Sequence, residues 1–144
     1  MTTLVRHMLV GKTDVYAVHP DDTVLDALRL MADKNIGAVM VLQDGEALGI
    51  LSERDYARKM VLHGKSSRDT TVREVMTAPL ISVAPDWTCD SCMSLMTDRH
   101  IRHLPVMEGN RLAGVISIGD VVRAVVQEHE STISSLESYI MSGG

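Results

Sequence analysis

The sequence predicts an α/β protein built from two copies of one small structural unit. The stretch Gly114–Asp120 repeats Gly49–Asp55, with glycine, two aliphatic residues, serine and aspartate in the same places. The register continues upstream without a gap, pairing Val18 with Val83, Pro20 with Pro85, Asp21 with Asp86, Thr23 with Thr88, Met31 with Met96 and Val41 with Val106. Within each copy the apolar spacing alternates between strand-like and helix-like periods. Each copy is therefore expected to fold as strand, helix, strand, strand, helix.

The first copy contains these elements in order. Its predicted elements are a strand at 13–18, a helix at 23–34, a hairpin of strands at 38–42 and 48–51 around Asp44-Gly45, and a helix at 53–63 that stops at Gly64. A polar linker follows at 65–70. The first domain is accordingly assigned to residues 1–68.

The second copy begins with a capping box, in which Thr71 and Glu74 open a short helix that resembles residues 5–9. Its predicted elements are a strand at 79–83, a helix at 88–99, strands at 104–107 and 113–116, and a helix from near 119 through 126. The second domain is assigned to 69–126. The tail at 127–144 carries Ile133, Leu136 and Ile140 at helical spacing, so it is expected to prolong the last helix and to end in a frayed 142–144.

Composition excludes several classes of protein. The net charge of −5 argues against a general nucleic-acid binder, which needs a basic face. The sequence lacks an apolar run of membrane-spanning length and a signal-peptide pattern near its start, so no membrane association and a cytoplasmic location are expected. The two cysteines, Cys89 and Cys92, provide no disulfide framework.

The repeated motif places a serine before a helix and an aspartate in the first helical turn. The start of a helix exposes backbone N–H groups and attracts anions such as phosphate. Ser52 and Ser117 add a hydroxyl donor there, while Asp55 and Asp120 offer carboxylates that can accept hydrogen bonds from a ribose diol. The alternative is ordinary helix capping, which needs no ligand. The presence of two copies in one register favours nucleotide binding.

These motifs resemble those of the tandem cystathionine-β-synthase (CBS) domain, over about residues 5–126. The stretch from Arg102 to Val106 is also similar to a motif of that family. The resemblance implies two repeats packed about a pseudo-two-fold axis, with two clefts for an adenosine ligand: AMP, ADP, ATP, S-adenosylmethionine or NAD. It also implies a regulatory module that signals to an effector protein and forms a homodimer of flat modules.

The resemblance also implies the ligand-binding residues. Asp55 and Asp120 are expected to hold ribose hydroxyls, and Ser52 and Ser117 to contact phosphate or ribose. The expected phosphate contacts are Arg102, His103 and Arg54. Adenine is expected among Val15, Tyr16, Ile36 and Ala38 in one cleft, and among Leu80, Ile81, Ile101 and Leu104 in the other. Because Gly37-Ala38 stands where the second copy has Arg102-His103, the two clefts are expected to differ in affinity.

Other functions are weaker interpretations. Cys89, Cys92, His100 and His103 can be written as a zinc ligand set, but the repeat aligns both cysteines with Val24 and Ala27, which indicates small apolar helix residues. No metal is therefore expected. No base is fixed beside the repeated serine or aspartate, so no enzyme activity and no catalytic residue are expected. The remaining alternative is a structural dimerisation module whose clefts stay empty.

Overall fold

The computed structural model describes residues 2–12 and 14–141. The chain divides into two compact units. The central unit is Asp14–Ile81, and the terminal unit combines Met1–Thr13 with Ser82–Gly144. The central unit thus contains the first repeat and the short helix that follows it, whereas the terminal unit contains the second repeat and the short helix near the start of the chain. The predicted domain boundaries at residues 68 and 126 stay a prediction.

The central unit holds a three-stranded sheet covered by helices. Its elements are α2 at Val24–Lys34, β1 at Ala17–Val18, β2 at Ala38–Gln43, β3 at Glu46–Ser52, α3 at Glu53–Lys59 and α4 at Val72–Val75. β1 is parallel to β2, and β2 is antiparallel to β3. The core contains Val24, Ala27 and Met31 from one face of α2, together with Val72 and Val75 from α4. The helical spacing of three and four found in the sequence therefore marks the buried face of α2.

The terminal unit repeats this plan with a smaller sheet. Its elements are α1 at Val5–Met8, α5 at Cys89–Arg99, β4 at His103–Glu108, β5 at Arg111–Ser117 and α6 at Ile118–Met141. β4 and β5 form an antiparallel hairpin, as predicted. Cys89, Cys92 and Met96 are buried on α5, which confirms that both cysteines occupy apolar helix positions. Two repeats of mixed α/β structure are thus confirmed.

The helices α2 and α5 begin and end in the same way. Thr23 accepts a hydrogen bond from the Asp26 amide at 3.2 Å, and Thr88 accepts one from the Ser91 amide at 3.1 Å. Asn35 and His100 close the two helices, each with a φ of 54°. The repeated threonine therefore fixes where each helix starts.

The two short helices make equivalent hydrogen bonds, each to the repeat in its own unit. In the central unit, the Val72 amide donates to the Asp22 carbonyl at 2.8 Å, and the Arg73 amide donates to the Pro20 carbonyl at 2.9 Å. In the terminal unit, the Val5 amide donates to the Trp87 carbonyl at 2.8 Å. Each short helix therefore donates hydrogen bonds to backbone carbonyls just before α2 or α5. The predicted capping box of Thr71 with Glu74 is confirmed.

Three predicted elements are shorter in the structure. The strand predicted at 13–18 is reduced to Ala17–Val18, and Thr13 lies outside the described residues. The strand predicted at 79–83 was wrong, because pairing there is limited to a single parallel bridge between Val83 and Val106. Pro79 and Pro85 flank this bridge and have no N–H to extend a ladder.

The helix predicted at 53–63 ends early. α3 stops at Lys59, Met60 turns its side chain into the core, and a 3₁₀ turn at Val61–His63 follows. Gly64, with a φ of 65°, closes the segment as predicted.

The last helix confirms the prediction that the tail prolongs it. α6 runs without interruption from Ile118 to Met141, while the predicted frayed residues 142–144 lie outside the described part of the chain. Among residues 2–12 and 14–141, no helix combines the length and apolar character that crossing a bilayer requires.

Candidate functional site

The Ser52–Asp55 pair joins the end of β3 to the first turn of α3. The Asp55 amide donates to Ser52 Oγ at 3.1 Å, while Asp55 Oδ2 accepts from the Ser52 amide at 3.0 Å and from Ser52 Oγ at 3.1 Å. This is a reciprocal capping box, in which two donors at the helix start are satisfied. The helix-capping interpretation of the motif is therefore correct for the structure, whether or not a ligand also binds.

The other oxygen of Asp55 contacts two further groups of the central unit. Asp55 Oδ1 accepts from Thr77 Oγ1 at 2.9 Å and lies 3.1 Å from Lys59 Nζ. Lys59 Nζ also donates to the Val75 carbonyl at 3.0 Å. The carboxylate thus ties α3 to the segment that follows α4, and its side chain retains 12% exposure.

The Ser117–Asp120 pair repeats the same capping arrangement at the start of α6. The Asp120 amide donates to Ser117 Oγ at 3.2 Å, and Asp120 Oδ2 accepts from the Ser117 amide at 2.8 Å. Here the additional partners are cations: Lys12 Nζ bonds to Oδ2, and Arg123 Nη2 donates to Oδ1 at 2.8 Å. Partial burial acts to raise the pKa of Asp120, but hydrogen bonds from Lys12 and Ser117 outweigh burial and leave the pKa lowered.

The loop that precedes the first strand of each hairpin is hydrogen-bonded to the backbone beside the Ser–Asp pair of the same unit. In the central unit, the Glu53 amide donates to the Gly37 carbonyl at 3.0 Å, and Ala38 pairs with Ser52. In the terminal unit, the Ile118 amide donates to the Arg102 carbonyl at 2.8 Å, and His103 pairs with Ser117. The structure therefore brings Arg102 and His103 to the Ser117–Asp120 pair, and brings Ala38 to the Ser52–Asp55 pair.

The residues predicted to surround adenine differ in how much surface they offer. Seven of them are half-buried: Val15, Tyr16, Ile36, Ala38, Leu80, Ile81 and Ile101. Leu104 is fully buried, so its side chain offers no surface to a ligand in this conformation. The Tyr16 ring is covered by Lys34, whose Nζ lies 5.3 Å from the ring centre. Arg54 and Arg102 are exposed, and His103 is half-buried.

Four residues near the two aspartates were not predicted as site residues. Lys59 and Arg123 lie four and three positions after their aspartates, and this helical spacing could have revealed them. Thr77 and Lys12 lie far away in the sequence and carry no such signal. The lysines supply a positive charge beside each carboxylate, with side chains 43% exposed for Lys59 and 37% for Lys12.

Both cysteines lie on α5 of the terminal unit. Cys89 Sγ donates to Glu128 Oε2 at 3.2 Å, and Glu128 Oε1 accepts from the Thr3 amide at 2.9 Å. Burial raises the pKa of both Cys89 and Cys92 to about 11, so both thiols are protonated at neutral pH. Among the described residues, Cys89, Asp90 and Glu128 place possible metal-binding atoms within 4.8 Å of one another. This group is not the combination of Cys89, Cys92, His100 and His103 that the sequence allowed.

Comparison with known proteins identifies relatives of both repeats. The model of the CBS domain matches residues 5–62 and 72–127. The chain is 46% identical over 128 residues to the CBS domain-containing protein CBSX3, mitochondrial, of Arabidopsis thaliana, covering 85% of this chain and 62% of that protein. It therefore spans less than two thirds of that relative.

Solved structures give the same result. A protein with CBS domains from Burkholderia ambifaria is similar with a TM-score of 0.83 and 46% identity, covering 87% of this chain and 95% of the other. The CBS domain pair of protein MJ0100, solved in complex with 5′-methylthioadenosine and S-adenosyl-L-methionine, has a TM-score of 0.77 at 22% identity, covering 89% and 99%. The second likeness shows the fold alone. With both repeats matched, this chain belongs to the CBS domain family and is a CBS domain pair protein.

Proposed function

We propose that this chain is a regulatory sensor that binds an adenosine nucleotide, AMP, ADP, ATP or NAD, at its Ser–Asp pairs. The observation that carries the proposal is repeated in both units. Each unit places a partly exposed aspartate beside a lysine ammonium at the start of a helix. A carboxylate accepts hydrogen bonds from a ribose diol, and an ammonium attracts phosphate, so one such pair has the two groups that a nucleotide needs.

The family supports the class of ligand. CBS domain pairs are regulatory, ligand-binding modules, and adenosine ligands are common among them. The MJ0100 pair holds two adenosine compounds, although at 22% identity it shares only the fold with this chain. In this chain a ligand must compete for carboxylate oxygens that already accept hydrogen bonds. We propose that its ribose hydroxyls replace the lysine at the carboxylate and that the released ammonium contacts phosphate.

Nucleotide binding is proposed to change the association of the chain with an effector protein or with a second copy. No chemical reaction at the two Ser–Asp pairs is part of this output. The described partners of the two carboxylates are serine, threonine, lysine and arginine, and the lysines are ion-paired. Catalysis is therefore not part of the proposal. The cytoplasmic location stays a prediction, and the Arabidopsis relative is named as a mitochondrial protein.

Isothermal titration of the purified chain with AMP, ADP, ATP, NAD and GTP tests the proposal. A charge-assisted contact is worth about 1.5–3 kcal/mol, so Asp55→Asn and Asp120→Asn should each weaken binding at their own pair by roughly tenfold to a hundredfold. Asparagine keeps an oxygen that can accept from the serine amide, which preserves part of the helix cap. The two pairs have different cationic partners, so the parent protein should show two unequal affinities.

The matched controls are Asp33→Asn and Asp98→Asn, which occupy equivalent exposed positions near the ends of α2 and α5. These controls should leave every isotherm unchanged. Binding of GTP alone would overturn the proposed ligand class. If both site variants stay folded and bind the nucleotides as the parent does, the Ser–Asp pairs are not the binding site. If the parent binds none of the five nucleotides, the chain is a structural dimerisation module instead.

A further inference from the structure

The second half of α6 leaves an apolar face exposed to solvent. Every residue from 129 to 140 is exposed, although the segment is continuous with the part of α6 that packs through Val121 and Ala124. Helices of about a dozen residues are marginal in water, and most of their stability in proteins comes from packing of an apolar face. The segment therefore requires a surface that covers it.

Its apolar face has the spacing of a two-helix seam. Apolar residues and one histidine alternate at intervals of four and three along the exposed face of α6: Val122, Val126, His129, Ile133, Leu136 and Ile140. This is the heptad pattern of a and d positions, which brings one face of a helix against another helix. Ile133, Leu136 and Ile140 are 55%, 59% and 71% exposed. The opposite face is rich in serine, so a single seam needs covering.

We propose that α6 of a second copy covers this seam, running antiparallel. In that alignment each a position meets a d position of the other copy, so Val122 faces Ile140, Val126 faces Leu136, and His129 faces Ile133. The pairing is the same when the two copies are exchanged, which is the requirement for a closed two-fold dimer. Val122 and Val126, each nearly half exposed on the first part of the helix, gain apolar partners from the tail of the other copy.

The charges that flank the seam favour this direction. The e positions of the heptad, one residue after each d position, are Arg123, Glu130 and Glu137. In an antiparallel pair the e positions of the two copies face one another. Arg123 of each copy therefore lies opposite Glu137 of the other, which gives two attractive pairs. Glu130 faces its own counterpart and gives one repulsive pair. In a parallel pair the positions facing Glu130 and Glu137 are Val125 and Thr132, with no charge to attract them, and His129 would meet His129 in the seam. Charge complementarity therefore selects the antiparallel dimer.

Disulfide trapping distinguishes the two directions. Val126→Cys and Leu136→Cys are prepared as separate single variants, with the parent as the control for its buried Cys89 and Cys92. Mild oxidation should link chains only when the two variants are mixed, because residue 126 faces residue 136 of the other copy. Self-linking of either variant alone would indicate a parallel pair and overturn the proposal, as would the absence of any link.

Sedimentation velocity tests the seam itself. Ile133→Glu places a charge in the centre of the seam and should weaken the dimer by about tenfold or more, whereas Ser134→Glu, on the opposite face, should not change it. A monomeric parent, or an unchanged dimer in Ile133→Glu, would contradict the proposal. This inference specifies the self-association included in the proposed function. Its failure is separable from failure of nucleotide binding, because titration with AMP reports on the Ser–Asp pairs, which lie outside residues 129–140 of α6.

Discussion

The Ser52–Asp55 and Ser117–Asp120 pairs share one backbone arrangement but have different surroundings. Both are reciprocal helix caps at the end of a hairpin strand. Asp55 is then held by a threonine hydroxyl and a lysine, whereas Asp120 is held by a lysine and an arginine. The repeated residues thus determine the position of the carboxylate, and the side chains that contact it in each unit determine its electrostatics.

The largest expected difference concerns folding stability. Asp55→Ala removes the acceptor of Thr77, Lys59 and two Ser52 donors, some of them part-buried, and should lower the free energy of unfolding by about 2–3 kcal/mol. Asp120→Ala should cost about 1–2 kcal/mol, because Arg123, 69% exposed, can turn to water. The comparison is made by urea unfolding followed by circular dichroism. A greater loss for Asp120→Ala would show that the cations stabilise their pair more than the threonine does.

The glycines of the repeated motif should respond differently to a methyl group. A Cβ at Gly49 would lie 2.7 Å from the Thr77 carbonyl oxygen, which is backbone held by pairing with Ile50. A Cβ at Gly114 would lie 2.8 Å from Leu9 Cδ2, the end of a flexible side chain. Gly49→Ala should therefore cost about 2–3 kcal/mol and Gly114→Ala about 1 kcal/mol or less.

Thermal unfolding of the two glycine variants, followed with the parent under one buffer condition, provides the measurement. Gly45→Ala is the control for backbone strain without a clash. Gly45 has a φ of 80°, and a Cβ there would meet nothing within 4 Å. Equal losses for Gly49→Ala and Gly114→Ala would mean that Leu9 is held as firmly as the Thr77 backbone.

The sequence predicts the fold well because the signals that define it are local and occur twice. Thr23 and Thr88 cap equivalent helices, and Asp44-Gly45 turns a hairpin, as the residue types indicate. The strand predicted at 79–83 failed for a local reason that the residue types also carry. The segment before Val83 has the composition of a strand, yet it pairs at one residue because prolines flank it.

The site was predicted in part for the same reason. The serine and aspartate of each pair are readable from one short motif, as is the loop that precedes the hairpin. Lys12 lies 108 residues before Asp120, and Thr77 lies 22 residues after Asp55. Residues 5–9 resemble residues 72–76, but similarity alone does not say that each short helix bonds to the repeat of its unit. Contacts of this kind depend on the three-dimensional arrangement of the repeats.

The smallest expected effect concerns the acid stability of the terminal unit. The pKa of Asp120 is lowered in the folded chain, because hydrogen bonds from Lys12 and Ser117 outweigh the burial that acts to raise it. A carboxyl group with a lowered folded pKa contributes stability at pH values above its unfolded pKa, near 3.8, and this contribution is lost as the pH falls through the folded pKa. In Lys12→Met the balance shifts toward burial, so the pKa of Asp120 should rise and acid unfolding should begin at a higher pH than in the parent.

A carbon-13 NMR titration of the Asp120 carboxyl group measures this shift directly, and acid unfolding at low salt measures its consequence. Lys34→Met, which removes the same charge from the central unit, should leave the Asp120 titration unchanged. Because Lys12 is partly exposed, 1 M salt should reduce the difference between Lys12→Met and the parent. If the pKa of Asp120 stays where it is without Lys12, then the Ser117 cap and Arg123 are sufficient to hold the carboxylate charged. The two Ser–Asp pairs would in that case differ less in electrostatics than their partners indicate.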